Sequence, residues 1–113
     1  MIDLNTLLNP CILCGVVFSI VGAILFYFPP KEINLIYGYR TIRSMKNQES
    51  WDFAQKFSSK KMIISGVLLT LIGLIISIIS LDNQLQLYVS LLLIGLSLFW
   101  MIFTTENQLK KRF

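Results

Sequence analysis

Polar and apolar positions along this chain fall into long blocks instead of alternating. Three blocks, at about 7–28, 62–81 and 85–103, are almost wholly apolar and hold no Lys, Arg, Asp or Glu. A bilayer core about 30 Å thick is crossed by roughly 20 apolar residues in a helix. Each block therefore predicts a membrane-spanning helix. A long polar block at 29–61 and a short connection at 82–84 join them. The pattern predicts an all-α chain, residues 1–113 forming a single membrane domain. It is an integral membrane three-helix bundle with a cytoplasmic amphipathic helix in the first loop.

That helix is read from the loop itself. Pro29 and Pro30 stop the first span, because proline cannot continue a helix. The apolar run 33–36 returns to the membrane surface, and Gly38 between Tyr37 and Tyr39 marks a turn or a close backbone approach. Ser44 offers an N-cap for a helix through Phe57. Phe53, Ala54 and Phe57 form its apolar face, and Trp51 lies to one side. Such a helix lies in the interface or against the span ends.

Composition supports the membrane reading. Hydrophobic residues make up 55% of the chain and charged residues 14%, against roughly 45–50% and about 25% in soluble domains. Too little polar sequence remains to cover three apolar helices in water. Disorder, a collagen-like fibre and most soluble enzymes are excluded. Mechanisms that need histidine are excluded too, because the chain has none. The first block has only Asp3 before it instead of a basic n-region, so it reads as a retained span and not a signal peptide.

Charge placement sets the expected orientation. Of the ten Lys and Arg residues, seven lie between Lys31 and Lys61 and three in 110–112. Basic segments flanked by apolar runs point to a membrane surface, not to nucleic acid. By the positive-inside rule the N-terminus is outside and the C-terminus cytoplasmic. Tyr27, Phe28 and Trp100 then fall near the cytoplasmic ends of their spans and Tyr88 near an outer end, as interfacial aromatic belts do.

Small residues predict where the helices meet. Gly15, Ser19 and Ala23, with Gly22 alongside, stripe the first span; Gly66, Thr70, Gly73 and Ser77 stripe the second. Such stripes allow close backbone approach in lipid. The third span has only Ser90, Gly95 and Ser97 and is expected to face lipid more. Cys11 and Cys14 form a C-x-x-C, but a metal would need more ligands and redox chemistry another context. Two small apolar residues one turn apart is the simpler reading, with a disulfide only if Pro10 disrupts the helix. No metal, cofactor or enzyme chemistry is expected.

The stretch Ile33-Asn34, Tyr37-Gly38-Tyr39-Arg40-Thr41, Ser44, Asn47, Trp51 and Ala54 resembles the SdpI family of bacterial membrane proteins. The resemblance implies a protein of the bacterial cell membrane that confers immunity against a toxic secreted peptide by binding it. It places the candidate binding site at Asn34, Tyr37, Gly38, Tyr39, Arg40, Thr41, Asn47 and Trp51. Arg40 and Arg43 precede Glu49 and Asp52, and an Arg–carboxylate network covered by Trp51 would fix the loop on the bundle. Alternatively, Arg40 faces a lipid phosphate or a peptide carboxylate. The expected partners are membrane lipids, a toxic peptide, a cytoplasmic regulator or a second copy of the chain. Two rival functions remain: a receptor docking a cytoplasmic partner, and a non-coupled transporter component. A coupled pump is disfavoured by the absence of ionisable residues from the spans.

Overall fold

The computed structural model describes residues 9–34, 36, 38–79 and 82–113. The expected start of the first span at 7–8, Tyr37, and the end of the second span at 80–81 lie outside the described residues. Three helices follow in order: α1 (Pro10–Tyr27), α2 (Gln48–Ile79) and α3 (Asn83–Arg112). All three are long and apolar enough to cross a membrane.

Helix α1 begins where its first free backbone donors find a partner. The Asn9 side chain accepts a hydrogen bond from the Ile12 N–H at 3.0 Å, and Pro10 takes the first helical position, where its missing N–H is no loss. Pro10 therefore starts the helix and does not disrupt it. Cys11 and Cys14 are free thiols, and Cys11 Sγ donates to the Leu69 carbonyl on α2 at 3.2 Å. The helix stops before Pro29 and Pro30, with Phe28 N–H bonded to Ile24 O at 2.7 Å.

Helix α2 corrects the expected loop. Among the described residues there is no separate amphipathic helix capped by Ser44. One 32-residue helix runs from Gln48 through the membrane stretch. Asn47 caps it: Ser50 N–H donates to Asn47 Oδ1 at 2.8 Å, and Asn47 N–H donates back to Ser50 Oγ at 3.2 Å. This reciprocal pair is a variant of the capping box with Ser in the return position. The helix continues through 58–61 because Ser-Ser-Lys-Lys contains neither Pro nor Gly, and propagation adds a hydrogen bond per residue without a new nucleation cost. Helix α3 likewise runs beyond the expected end at 103, to Arg112. Its last turn carries Lys110, Lys111 and Arg112, which suit the negative end of the helix dipole.

The helices run up, down and up. Gly15 meets Thr70 and Gly66, Gly22 meets Ile63 and Ser59, and Gly73 meets Ile12 and Asn9. Lower numbers on α1 thus face higher numbers on α2. Helix α3 is also antiparallel to α2, with Phe53 against Phe113 and Lys61 over Trp100. The expected small-residue stripes are the α1–α2 interface. A Cβ built at Gly66 would lie 2.5 Å from Ser19 N and 2.7 Å from Gly15 O, so side chains there would part the helices. Cys11, Leu69 and Ile76 form the buried core, with Val89, Leu93 and Ile94 of α3 packed against it. Leu91, Leu92, Leu96 and Phe99 of α3 are exposed, as a lipid-facing third helix requires. The molecule measures 51 × 24 × 19 Å, about 20 Å longer than a bilayer core. The surplus belongs to the loop end, where α2 and α3 extend past their uncharged stretches.

Candidate functional site

The loop between α1 and α2 folds back on the protruding turns of α2. Trp51 is fully buried, and its indole N–H donates to Pro30 O at 2.9 Å, pinning the chain just after α1. One turn further along α2, Gln55 holds the next segment. Its Nε2 donates to Tyr39 O at 2.6 Å, while its Oε1 accepts from Tyr39 N–H at 2.7 Å. A glutamine amide is suited to this, because it pairs with a backbone N–H and C=O simultaneously. Gly38 makes the approach possible. Its φ is +100°, and a Cβ there would run into Gln55 Oε1 and Pro30 Cγ. Both the backbone angle and the space require glycine.

Ser44 organises the following turn instead of capping a helix. It is fully buried, and its hydroxyl accepts from Thr41 N–H at 2.7 Å and can donate to Thr41 O at 2.9 Å. Thr41 Oγ1 in turn accepts from Ser44 N–H at 3.2 Å. Ser50, also fully buried, can donate to Ser44 O at 3.1 Å. These short side chains satisfy backbone groups that no regular element pairs.

The loop is also tied to α3. Tyr39 Oη donates to Glu106 Oε1 at 2.8 Å, and Arg43 Nη1 reaches Glu106 Oε2 at 3.3 Å. Burial acts to raise the Glu106 carboxyl, but hydrogen bonds from Thr41, Tyr39 and Arg43 and the Arg43 charge outweigh it and hold the group below its ordinary value. Burial first, and then the hydrogen bond to Glu106 and its charge, push the Tyr39 phenol well above its ordinary value. Tyr39 therefore stays a neutral donor and Glu106 an ionised acceptor.

Above this network lies a cleft of about 290 Å³. Its apolar walls are Leu25 of α1, Met62 of α2, and Met101 and Ile102 of α3. Its polar rim is Tyr39, Arg40 and Thr41, with Ser58 alongside. All three helices and the loop meet here. Two unbranched methionines give the wall adaptability to different apolar shapes.

Of the residues singled out from the sequence, Gly38, Tyr39, Arg40 and Thr41 come together at the cleft. Asn47 and Trp51 support them from behind, as helix cap and loop anchor. Asn34 builds its own turn, donating to Glu32 O and accepting from Ile36 N–H, both at 3.0 Å. Tyr37 lies outside the described residues. The expected Arg40–carboxylate network under Trp51 does not form. Arg40 is exposed, and among the described residues the ion pair is Arg43 with Glu106. Asp52 instead accepts from Gln48 Nε2 at 2.7 Å. Gln55 and Glu106 were missed. Gln55 carried a signal, since it sits one turn after Trp51 and next to Ala54. Glu106, 67 positions from Tyr39, could be recognised only as the one acid beyond the third span.

The SdpI/YfhL protein family matches residues 31–105, from the loop through the end of the third apolar block. The chain is 38% identical over 96 residues to the uncharacterized protein YfhL of Bacillus subtilis (strain 168), a match covering 85% of this chain and 82% of that one. No solved structure matches. With three membrane-crossing helices and a loop built on the Gly-Tyr-Arg-Thr turn, the chain belongs to the SdpI/YfhL family and is an integral membrane protein of the SdpI type.

Proposed function

We propose that this protein is an immunity factor of the bacterial cell membrane that protects the cell by binding a membrane-active peptide toxin at the loop-end cleft. The observation that carries this reading is the cleft itself. It joins an apolar wall, continuous with the membrane-facing part of the bundle, to a cationic rim at Arg40. An amphipathic peptide has the complementary chemistry: an apolar face for the wall, and a carboxylate for a guanidinium that can bind it bidentately. No catalytic step is part of this function, and no cofactor enters it. The N-terminus is placed outside and the loop end in the cytoplasm. Support comes from the fold, which gathers all ten Lys and Arg residues at one end of the bundle.

The test is survival of a sensitive bacterial host expressing the protein and challenged with candidate peptide toxins. Arg40→Ala and Met101→Trp, which removes the cation or fills the cleft, are each expected to abolish protection at matched membrane expression. Leu92→Phe, on the exposed face of α3, keeps it. Full protection by both cleft variants would remove the cleft from the site. A second reading, docking of a cytoplasmic regulator, is favoured by Ile42, which is 94% exposed beside Arg43. In that case Ile42→Asp would abolish the response and the cleft variants would not.

A further inference from the structure

We propose that the α1–α2 edge at the loop end holds an anionic phospholipid, its phosphate on Lys56 and Lys60 and an acyl chain in the groove below them. The groove has a volume of about 290 Å³ and is lined by Phe26, Tyr27, Lys60, Ile63 and Ile64. It shares no residue with the cleft at Arg40. Its apolar part belongs to the uncharged stretches of α1 and α2, so it is open to lipid. Its upper end is Lys60, just before α2 loses all charge.

The lysines on α2 divide into two groups. Lys61 turns toward α3, its Nζ 5.1 Å from the Phe57 ring centre and 5.0 Å from that of Trp100. Lys60 turns the other way, with Nζ 5.8 Å from the Phe26 ring centre. It therefore reaches across the groove and holds a charge over its mouth. Lys56 stands one turn above Lys60, on a second concave surface that both lysines line with Phe57. Residues four apart on a helix are neighbours. Both lysines are exposed, and among the described residues neither makes an ion pair.

The acid on this surface is Asp52, which lines it with Lys56 and already accepts from Gln48. It stands one turn before Lys56 without forming an ion pair with it among the described residues, and about 12 Å along the helix from Lys60, so its charge bears on Lys56 and little on Lys60. Two exposed lysines without an ion pair among the described residues, above a lipid-level apolar groove, select a ligand with an anionic head and a hydrocarbon tail. A free phosphate would satisfy the lysines and leave the groove unused. A zwitterionic lipid would fill the groove and bring a compensating positive charge.

The experiment uses the full chain in nanodiscs of phosphatidylcholine with a minor fraction of phosphatidylglycerol. Lipid retained after transfer to detergent is counted by native mass spectrometry. The parent is expected to keep a phosphatidylglycerol in preference to phosphatidylcholine. A lysine near a membrane surface contributes about fivefold to anionic-lipid binding, so Lys56→Gln with Lys60→Gln should lower retention by about 25-fold. Lys60→Arg should keep it, and so should Lys110→Gln with Lys111→Gln, which removes the same charge elsewhere on the loop end. Added glycerol phosphate should not displace the lipid. Equal loss in the two double variants would show a general surface field and overturn the site. So would the absence of a phosphatidylglycerol preference, or full displacement by glycerol phosphate.

Discussion

At Gly38 a left-handed backbone and a side-chain amide meet in the space of one missing Cβ. Gly38→Ala must both strain the backbone and push Gln55 away from Tyr39. The expected loss is about 1–3 kcal/mol, the range for a residue held in a disfavoured φ/ψ region, seen as a lower Tm in detergent. Gln55→Ala leaves the Tyr39 N–H without its partner and the Tyr39 C=O with only the Ser44 hydroxyl at 3.3 Å, and should lose a similar amount, since an unsatisfied buried polar group costs about 1–3 kcal/mol. Arg43→Ala should be milder. The Arg43 side chain is 52% exposed, and exposed ion pairs contribute about 0–1 kcal/mol.

Glu106 gives the residue scale a pH signature. Its folded-state pKa is depressed, so its contribution is present above the unfolded carboxyl value near 4.5 and is lost as pH falls through the lower folded value. Tyr39 acts at the other end. Its folded pKa is raised, so its contribution is complete below the unfolded value near 10.0 and declines as pH rises beyond it. Thermal unfolding across pH should show both edges in the parent. Glu106→Gln should flatten the acid edge, and Tyr39→Phe the alkaline one. An unchanged acid edge in Glu106→Gln would assign that edge to other carboxylates.

At the scale of the helices, α1 and α2 are joined by backbone approach and α3 by side chains. Gly73 has Ile12 N 2.9 Å from a Cβ position, while Gly95 on α3 has nothing within 4 Å. Gly73→Leu should therefore cost roughly 1–3 kcal/mol by overpacking, and Leu92→Phe should stay within about 0.5 kcal/mol of the parent, as surface substitutions do. Equal melting of Gly73→Leu and the parent in detergent would contradict the interface. Helix α3 is held at the loop end by Glu106, by Arg112 over the Phe53 ring at 4.7 Å, and by Lys61 between two aromatic rings. The cation–π contacts are each worth about 0.5–1 kcal/mol where exposed. Together they fix the helix that supplies Met101 and Ile102 to the cleft.

For the whole molecule, orientation is the property that decides what the cleft can meet. If the basic end is cytoplasmic, an impermeant thiol reagent applied to cells will label a cysteine placed at 83 and not one at 46 or 110, in a background lacking Cys11 and Cys14. Labelling at 46 would invert the molecule and move the cleft to the outer leaflet.

The spans were legible because the bilayer reads composition alone. A run of uncharged apolar residues long enough to cross it needs no partner to be stable there. The glycine stripes were legible for a related reason, since only small residues let two backbones touch, wherever the partner is. Fold class, helix order and the α1–α2 contact face are therefore properties of the sequence. The Gly38–Tyr39–Arg40–Thr41 cluster was visible as a motif, but its chemistry was not. Whether 44–57 forms a separate interfacial helix or, from Gln48, the first turns of α2 depends on Trp51 and Gln55 finding partners in the loop and Ser59 packing against Gly22 of α1. Which arginine takes a carboxylate depends on Glu106 arriving from the far end of the chain. Local pattern cannot rank partners more than 60 residues apart. Only the closed bundle, by bringing the end of α3 under the loop, paired Arg43 with Glu106 and left Arg40 free at the rim of the cleft.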